Sequence, residues 1–171
     1  TPQSIVELSK LYENSTSLTK LGFKVKVGTV VWNQCKDILT NDNSKSRLIY
    51  SSDIKNNKLI MKEYSNKQKK NYIDKDGETD PLLVINRGYG VGTYNFNYCI
   101  INEHTNDEYL IENHLIYIKY NKTIDNNTLI DMYKKIIMSF KHKKTKKFIK
   151  IYFGNNAINT SELANILPIY L

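Results

Sequence analysis

Gly22-Phe23-Lys24-Val25-Lys26-Val27-Gly28-Thr29-Val30-Val31-Trp32-Asn33-Gln34-Cys35-Lys36 alternates polar and apolar residues, then runs through Val-Val into the only tryptophan of the chain. A period of two places alternate side chains on opposite faces of an extended chain, so the stretch predicts a half-buried strand over 23–33. Its end presents an aromatic plate, Trp32, beside the amides of Asn33 and Gln34 and the ammonium of Lys36. These groups recognise a partner; the stretch holds no nucleophile, no general-base pair and no metal cluster.

Working outward, residues 3–13 read as a short amphipathic helix with Ile5, Leu8, Leu11 and Tyr12 on one side. The polar run Asn14-Ser15-Thr16-Ser17 follows, so 1–19 reads as a helix and linker leading into a domain over 20–171. Strand-like segments come next, at 23–33, 47–52, 58–64, 82–87, 95–102, 109–111 and 114–120, separated by loops rich in Asn, Asp, Ser and Lys. Residues 128–141 predict a helix with Leu129, Met132, Tyr133, Ile136, Ile137 and Phe140 along a buried stripe. Phe148-Ile149-Lys150-Ile151-Tyr152-Phe153 alternates and predicts another strand. Asn159 followed by Glu162 is a capping box for a short helix over 160–167, stopped by Pro168. About seven strands and two to three helices predict an α+β fold with a curved, mostly antiparallel β-sheet.

The bulk numbers bound the partners. A chain of 171 residues makes one domain with a real core, with room for a small appendage. Lys and Arg number 25 against 17 Asp and Glu, a formal charge of +8. Nearly all of the basic residues are Lys. Together with abundant Asn, Ile and Tyr, that pattern fits an AT-rich coding sequence, so the charge by itself is a weak argument for a polyanion partner. The two arginines, Arg47 and Arg87, carry more weight, because a planar guanidinium reads a guanine edge or a phosphate bidentately. Cys35 and Cys99 sit in apolar surroundings without metal-site spacing and read as buried free thiols of a cytoplasmic protein. No apolar run reaches the length of a membrane span and no secretory signal is visible. The start at Thr1-Pro2-Gln3 has no initiator Met and reads as a processed chain or a fragment of a longer one.

Three motifs invite chemistry. Pro81-Leu82-Leu83-Val84-Ile85-Asn86-Arg87-Gly88-Tyr89-Gly90-Val91-Gly92 runs a buried strand into a glycine loop. A phosphate cradle needs a helix immediately afterwards, and Thr93-Tyr94-Asn95-Phe96-Asn97-Tyr98-Cys99-Ile100-Ile101 alternates as a strand instead. The loop therefore reads as a hairpin tip, either purely structural or carrying Arg87, Tyr89 and Tyr94 outward to a nucleic acid. Glu112-Asn113-His114 pairs a carboxylate with a histidine but has no nucleophile placed beside it, and His114 reads as a buried, hydrogen-bonded residue that orients a sheet edge. Lys141-His142-Lys143-Lys144-Thr145-Lys146-Lys147 is the densest basic run, either a solvated loop or a phosphate grip through residues such as Lys143 and Lys144. Asp74, Asp76 and Asp80 lack the calcium-loop pattern, so no metal is expected.

Several segments together carry a resemblance. "V-G-T-V-V-W-N-Q-C-K-D-I-L-T", "S-R-L-I-Y-S-S-D-I" at 46–54, "P-L-L-V-I-N-R-G-Y-G" at 81–90, "Y-L-I-E-N-H-L-I-Y-I" at 109–118 and the closing "T-S-E-L-A-N-I-L-P-I" follow one another in an order and spacing similar to a known domain. That order resembles the C-terminal target-recognition domain of gamma-type, Taq-like adenine-N6 DNA methyltransferases of type II restriction–modification systems. The likeness covers roughly residues 20–168. In that family the domain clamps DNA opposite a Rossmann-like catalytic domain. The catalytic motifs are not found here: Asp80-Pro81-Leu82-Leu83 lacks the second proline and the aromatic of the adenine-holding motif, and the methyl-donor glycine motif is missing.

The resemblance therefore implies a DNA-binding specificity domain with no catalytic residue and no cofactor of its own. S-adenosylmethionine is expected only in a Rossmann-like methyltransferase domain supplied in cis or in trans. Double-stranded DNA is the expected partner, with no membrane involved. Arg87 is the expected contact to a guanine edge or a phosphate, and Asn33 and Gln34 to adenine-type edges. Lys36 and Lys45 would hold the DNA backbone, with Trp32 and Tyr89 as stacking or packing groups. The rival readings are a protein-interaction module with a basic surface, which should expose an apolar patch, and a nuclease, for which no carboxylate–lysine metal site can be assembled from these loops.

Overall fold

The computed structural model describes residues 1–86, 97–154 and 156–171. The described helices are α1 (Pro2–Tyr12), α2 (Leu18–Leu21), α3 (Asn126–Phe140), α4 (Lys143–Tyr152) and α5 (Thr160–Asn165). The strands are β1 (Phe23–Val27), β2 (Leu39–Thr40), β3 (Ser46–Ile49), β4 (Ile54–Lys55), β5 (Lys58–Leu59), β6 (Tyr72–Ile73), β7 (Leu82–Asn86), β8 (Asn97–Ile101), β9 (Tyr109–Ile111) and β10 (Ile116–Tyr120). The fold is α+β with mostly antiparallel pairing, as the alternation pattern predicts. The described residues form two compact units, the first built from residues 1–25 and 118–171, the second from 26–86 and 97–117.

The first unit is helical. Thr1 caps α1 with its hydroxyl, Asp125 caps α3, and Asn159 with Glu162 forms the capping box of α5. These side-chain oxygens satisfy amide donors that the first helical turn leaves open. Leu129, Tyr133, Ile136 and Phe140 are the buried stripe of α3, and the Tyr133 hydroxyl donates to the Ile118 carbonyl at 2.9 Å. Gly22 ends α2 at φ 96°, a left-handed conformation that a side chain disfavours, and Phe23 then turns inward between Tyr120 and Tyr133. Thr16 and Ile169 exchange backbone hydrogen bonds at 2.9 Å, and α1 packs on α4 through Tyr12 against Phe148.

One sequence expectation fails here. Residues 148–153 are not a strand: 148–152 complete helix α4 and Phe153 is its C-cap, and from Lys143 the basic run before them is the start of that helix rather than a loop. The six-residue window shows alternation only because it is short. Extended back to Thr145, the buried positions Thr145, Phe148 and Ile149 recur at the helical spacing, with lysines on the remaining face. The His142 ring nitrogen accepts the Lys144 amide at 3.0 Å and serves as the N-cap.

The second unit is a β-structure of short strands. β2, β6, β3 and β9 form one sheet in that order, with β3 and β9 parallel (Arg47 beside Tyr109, Ile49 beside Ile111) and the other pairs antiparallel. β7 and β8 pair antiparallel from Leu82 opposite Ile101 to Asn86 opposite Asn97, and β4 pairs with β5. Two apolar clusters fill it. Ile49, Ile54, Val84, Cys99, Ile101, Tyr109, Ile111 and Leu115 make one, and Val30, Leu39, Leu48, Tyr50, Ile73 and Leu110 make the other.

The expected strand over 23–33 stops at Val27. Beyond it the Gly28 amide donates to the Leu115 carbonyl at 2.9 Å and the Val30 amide to the Ile111 carbonyl at 3.1 Å. The backbone of Glu112 lies so close to Gly28 that a Cβ built there would stand 2.1 Å from the Glu112 carbonyl oxygen. Glycine is required at 28 by this approach. The strand expected over 58–64 likewise reduces to Lys58–Leu59, and the rest is a loop held from below by a buried carboxylate, Asp53.

Candidate nucleic-acid interface

The segment that opened the reading leaves the sheet at Val31 and closes a 3-10 turn over Trp32–Gln34, with the Cys35 amide donating to the Trp32 carbonyl at 3.0 Å. A second such turn spans Lys36–Ile38. Trp32, Cys35 and Ile38 pack partly buried against the Val30–Leu48–Tyr50 cluster, which fixes the turn. Asn33, Gln34 and Lys36 point away from that support and are exposed. Trp32 is thus neither a core plug nor a free plate: one part anchors the turn and the rest stays accessible.

Cations gather over it. The Lys36 and Lys69 ammonium groups each lie 5.7 Å from the Trp32 ring centre. Lys69 also stands 4.5 Å from the Tyr50 ring and 4.6 Å from the Tyr64 ring, and those two rings meet edge to face at 5.0 Å. Each contact is within the range at which the negative face of an aromatic ring attracts a cation.

Asp53 holds this assembly in shape. Its buried carboxylate accepts hydrogen bonds from the Tyr50 amide (2.9 Å), the Lys62 amide (3.1 Å) and the Tyr64 hydroxyl (3.0 Å). A carboxylate so supplied replaces its lost hydration and ties the 60–70 loop to the end of β3. The Tyr50 hydroxyl donates to the Lys70 carbonyl at 2.7 Å, which fixes the backbone beside Lys69. Burial pushes both phenols well above their ordinary range, so each ring stays neutral and keeps its π face for a cation.

Arg47 is a structural residue. It leaves β3 half-buried and donates from Nη2 to the Ile60 carbonyl at 2.6 Å, bracing the same loop. In the Glu112–His114 pair the Glu112 side chain is 2% exposed, whereas that of His114 is 64% exposed. The expectation of a buried His114 is therefore corrected. The chain turns out at His114, and the carboxylate of Glu112 stays inside to accept the His114 amide at 2.8 Å and its Nδ1. The buried free thiol is Cys99, raised to about 12 by burial; Cys35 is free and half-buried.

Of the residues singled out from sequence, Trp32, Asn33, Gln34 and Lys36 come together on one face of the second unit. Lys45, exposed in the same unit, is in an ion pair with Asp74 at 3.3 Å. Lys143 and Lys144 are exposed on the first turn of α4, and the Lys144 ammonium lies 5.5 Å from the Tyr170 ring. Arg87, Tyr89 and Tyr94 lie outside the described residues.

Lys69, Tyr50, Tyr64 and Asp53 escape a linear reading. Asp53 carries one readable signal, a carboxylate three residues after Tyr50, which accepts the Tyr50 amide across the turn Ser51–Asp53. Nothing in the sequence links Lys69 to Trp32. Among the described residues no group of His, Cys, Asp and Glu is arranged to hold a metal ion, and no helix is long and apolar enough to cross a membrane. No protein-family model matches the chain, and no curated protein matches it.

Proposed function

We propose that the chain is the sequence-reading, duplex-DNA recognition domain of a site-specific adenine-N6 DNA methyltransferase of a restriction–modification system, non-catalytic on its own. The observation that carries the reading is the turn at Trp32–Gln34, two exposed amides beside an aromatic ring with two ammonium groups above it. An exposed amide side chain on a rigid turn can bond bidentately to an adenine edge, and lysines at its margin suit phosphates. In this reading Asn33 and Gln34 read bases, Lys36 neutralises phosphate, and Trp32 packs against the sugar or a base. Lys45 contributes less, since it must first leave Asp74.

Lys143 and Lys144 supply a second, sequence-independent grip. They stand on the first turn of α4, where the helix dipole already favours an anion. Methyl transfer and S-adenosylmethionine binding belong to a Rossmann-like partner domain, in cis or in trans.

The reading predicts duplex binding that weakens steeply with salt, because each neutralised phosphate releases counterions. A fluorescence titration with duplex DNA at two salt concentrations tests it, beside a methylation assay with labelled S-adenosylmethionine in which the chain alone transfers no methyl group. Salt-insensitive binding, no binding at low salt, or turnover by the isolated chain each overturns it. A protein-interaction module is the second reading. Ile5 (66% exposed) and Val6 (54%) on α1 favour it, as does Met138 (66%) on α3. Failure to bind DNA together with self-association or capture through α1 would select it.

A further inference from the structure

The Lys69 ammonium sits among three aromatic rings, and among the described residues no hydrogen bond or ion pair accompanies it. That combination is poor for a primary ammonium. Its three N–H groups face rings at 4.5, 4.6 and 5.7 Å, and π faces return no directed hydrogen bonds. The same walls suit a cation without N–H donors, whose methyl groups pack on rings and whose charge is spread over its surface. The Asp53 carboxylate, which accepts the Tyr64 hydroxyl, is already turned to two amides and that hydroxyl, so it shapes the wall without competing for the cation.

We propose that Trp32, Tyr50 and Tyr64 form a recognition cage for an N-methylated ammonium group, and that Lys69 is its resident plug. Lys69 is carried on the 65–70 loop, with its own amide donating to the Asn66 carbonyl at 3.0 Å, so withdrawal of its side chain needs only rotamer changes while the loop stays tied by the Tyr50–Lys70 hydrogen bond. The ligand chemistry is quaternary ammonium, as in a trimethylated lysine or a choline group. Both rings that line the deep side are phenols held neutral by burial, so the cage keeps its character across the physiological pH range.

Trp32 is the only tryptophan, so its fluorescence reports occupancy directly. The experiment titrates tetramethylammonium chloride, with sodium chloride as the ionic-strength control, into the full chain and into Lys69→Ala and Lys69→Gln. The expected result is a saturable change in Trp32 emission at a concentration at least about tenfold lower in both variants than in the unmodified chain, and unmatched by sodium. A trimethyl-lysine peptide and phosphocholine, titrated next, separate the two sources by which binds more tightly than tetramethylammonium. Lys69→Gln keeps most of the stem if Lys69→Ala lowers the melting temperature. In addition, saturation transfer from aromatic protons to the tetramethylammonium methyls in the unmodified chain gives a readout without any substitution. Equal response to tetramethylammonium and sodium, or no gain when the lysine is removed from a folded chain, overturns the proposal. So does a saturable response that survives Tyr64→Ala unchanged.

Discussion

The two lysine-rich faces of the molecule, the Trp32 turn and the first turn of α4, have similar composition and different physics. At Trp32 the ammonium of Lys69 is fixed over three rings, and the backbone beneath is anchored by the buried Asp53. On α4 the lysines are exposed, no acidic residue stands in the first turn, and the helix dipole disfavours their charge. The first face has a shape that can discriminate, and the second has only charge. A lysine count reads them as equals; the difference lies in what stands behind each lysine.

Removing the support behind the first face should have the largest effect. Asp53→Ala leaves the Tyr50 and Lys62 amides and the Tyr64 hydroxyl without their acceptor, and should cost about 4 kcal/mol in urea unfolding. A loss below about 1 kcal/mol would break the claim that the turn is rigidly anchored. The companion test is Gly28→Ala, whose Cβ would meet the Glu112 carbonyl oxygen at 2.1 Å. It should cost about 3 kcal/mol in the same measurement.

Alkaline pH probes the same unit. Burial raises the Cys99 thiol from about 9 to about 12, so the folded chain favours the neutral form. That stabilisation is complete below pH 9 and declines as pH rises toward 12, because the unfolded thiol ionises first. Tyr50 and Tyr64 add to the decline above pH 10. Stability measured from pH 8 upward should fall by a few kcal/mol, and Cys99→Ala should flatten the curve just above pH 9. An unchanged slope in Cys99→Ala contradicts the assignment. Because it is more accessible, the half-buried Cys35 should be modified by iodoacetamide before the buried Cys99.

Smaller effects distinguish the two faces in binding. On the proposed reading, Asn33→Ala and Gln34→Ala should each cost about 2 kcal/mol of discrimination between a bound DNA site and its one-base-changed form, and under about 0.5 kcal/mol of stability. Lys143→Ala and Lys144→Ala should weaken all sequences alike, lower the salt slope by about 1 each, and leave stability within about 0.5 kcal/mol. If the α4 variants alter sequence discrimination, the contrast between the faces is wrong.

Much of the fold was legible because its signals are local. The period in α3, the capping box at Asn159 and Glu162, the apolar run of β7 and the alternation in β10 each lie within one short window. Phe148–Phe153 was not, since a six-residue alternation cannot be told from one face of a helix until Thr145 and the His142 cap are included. The site was half legible. Trp32, Asn33, Gln34 and Lys36 are adjacent in sequence, but Lys69, Tyr50 and Tyr64 join them only through the fold, and burial of Glu112 rather than His114 depends on where the chain turns.

The central claim, that the Trp32 turn is the face that meets DNA, has a direct test in the emission of that single tryptophan. Duplex DNA titrated into the chain at low salt should change Trp32 emission saturably, and the change should be reversed by added salt and reduced in Lys36→Ala. DNA that binds, by mobility shift, without altering Trp32 emission would contradict the account.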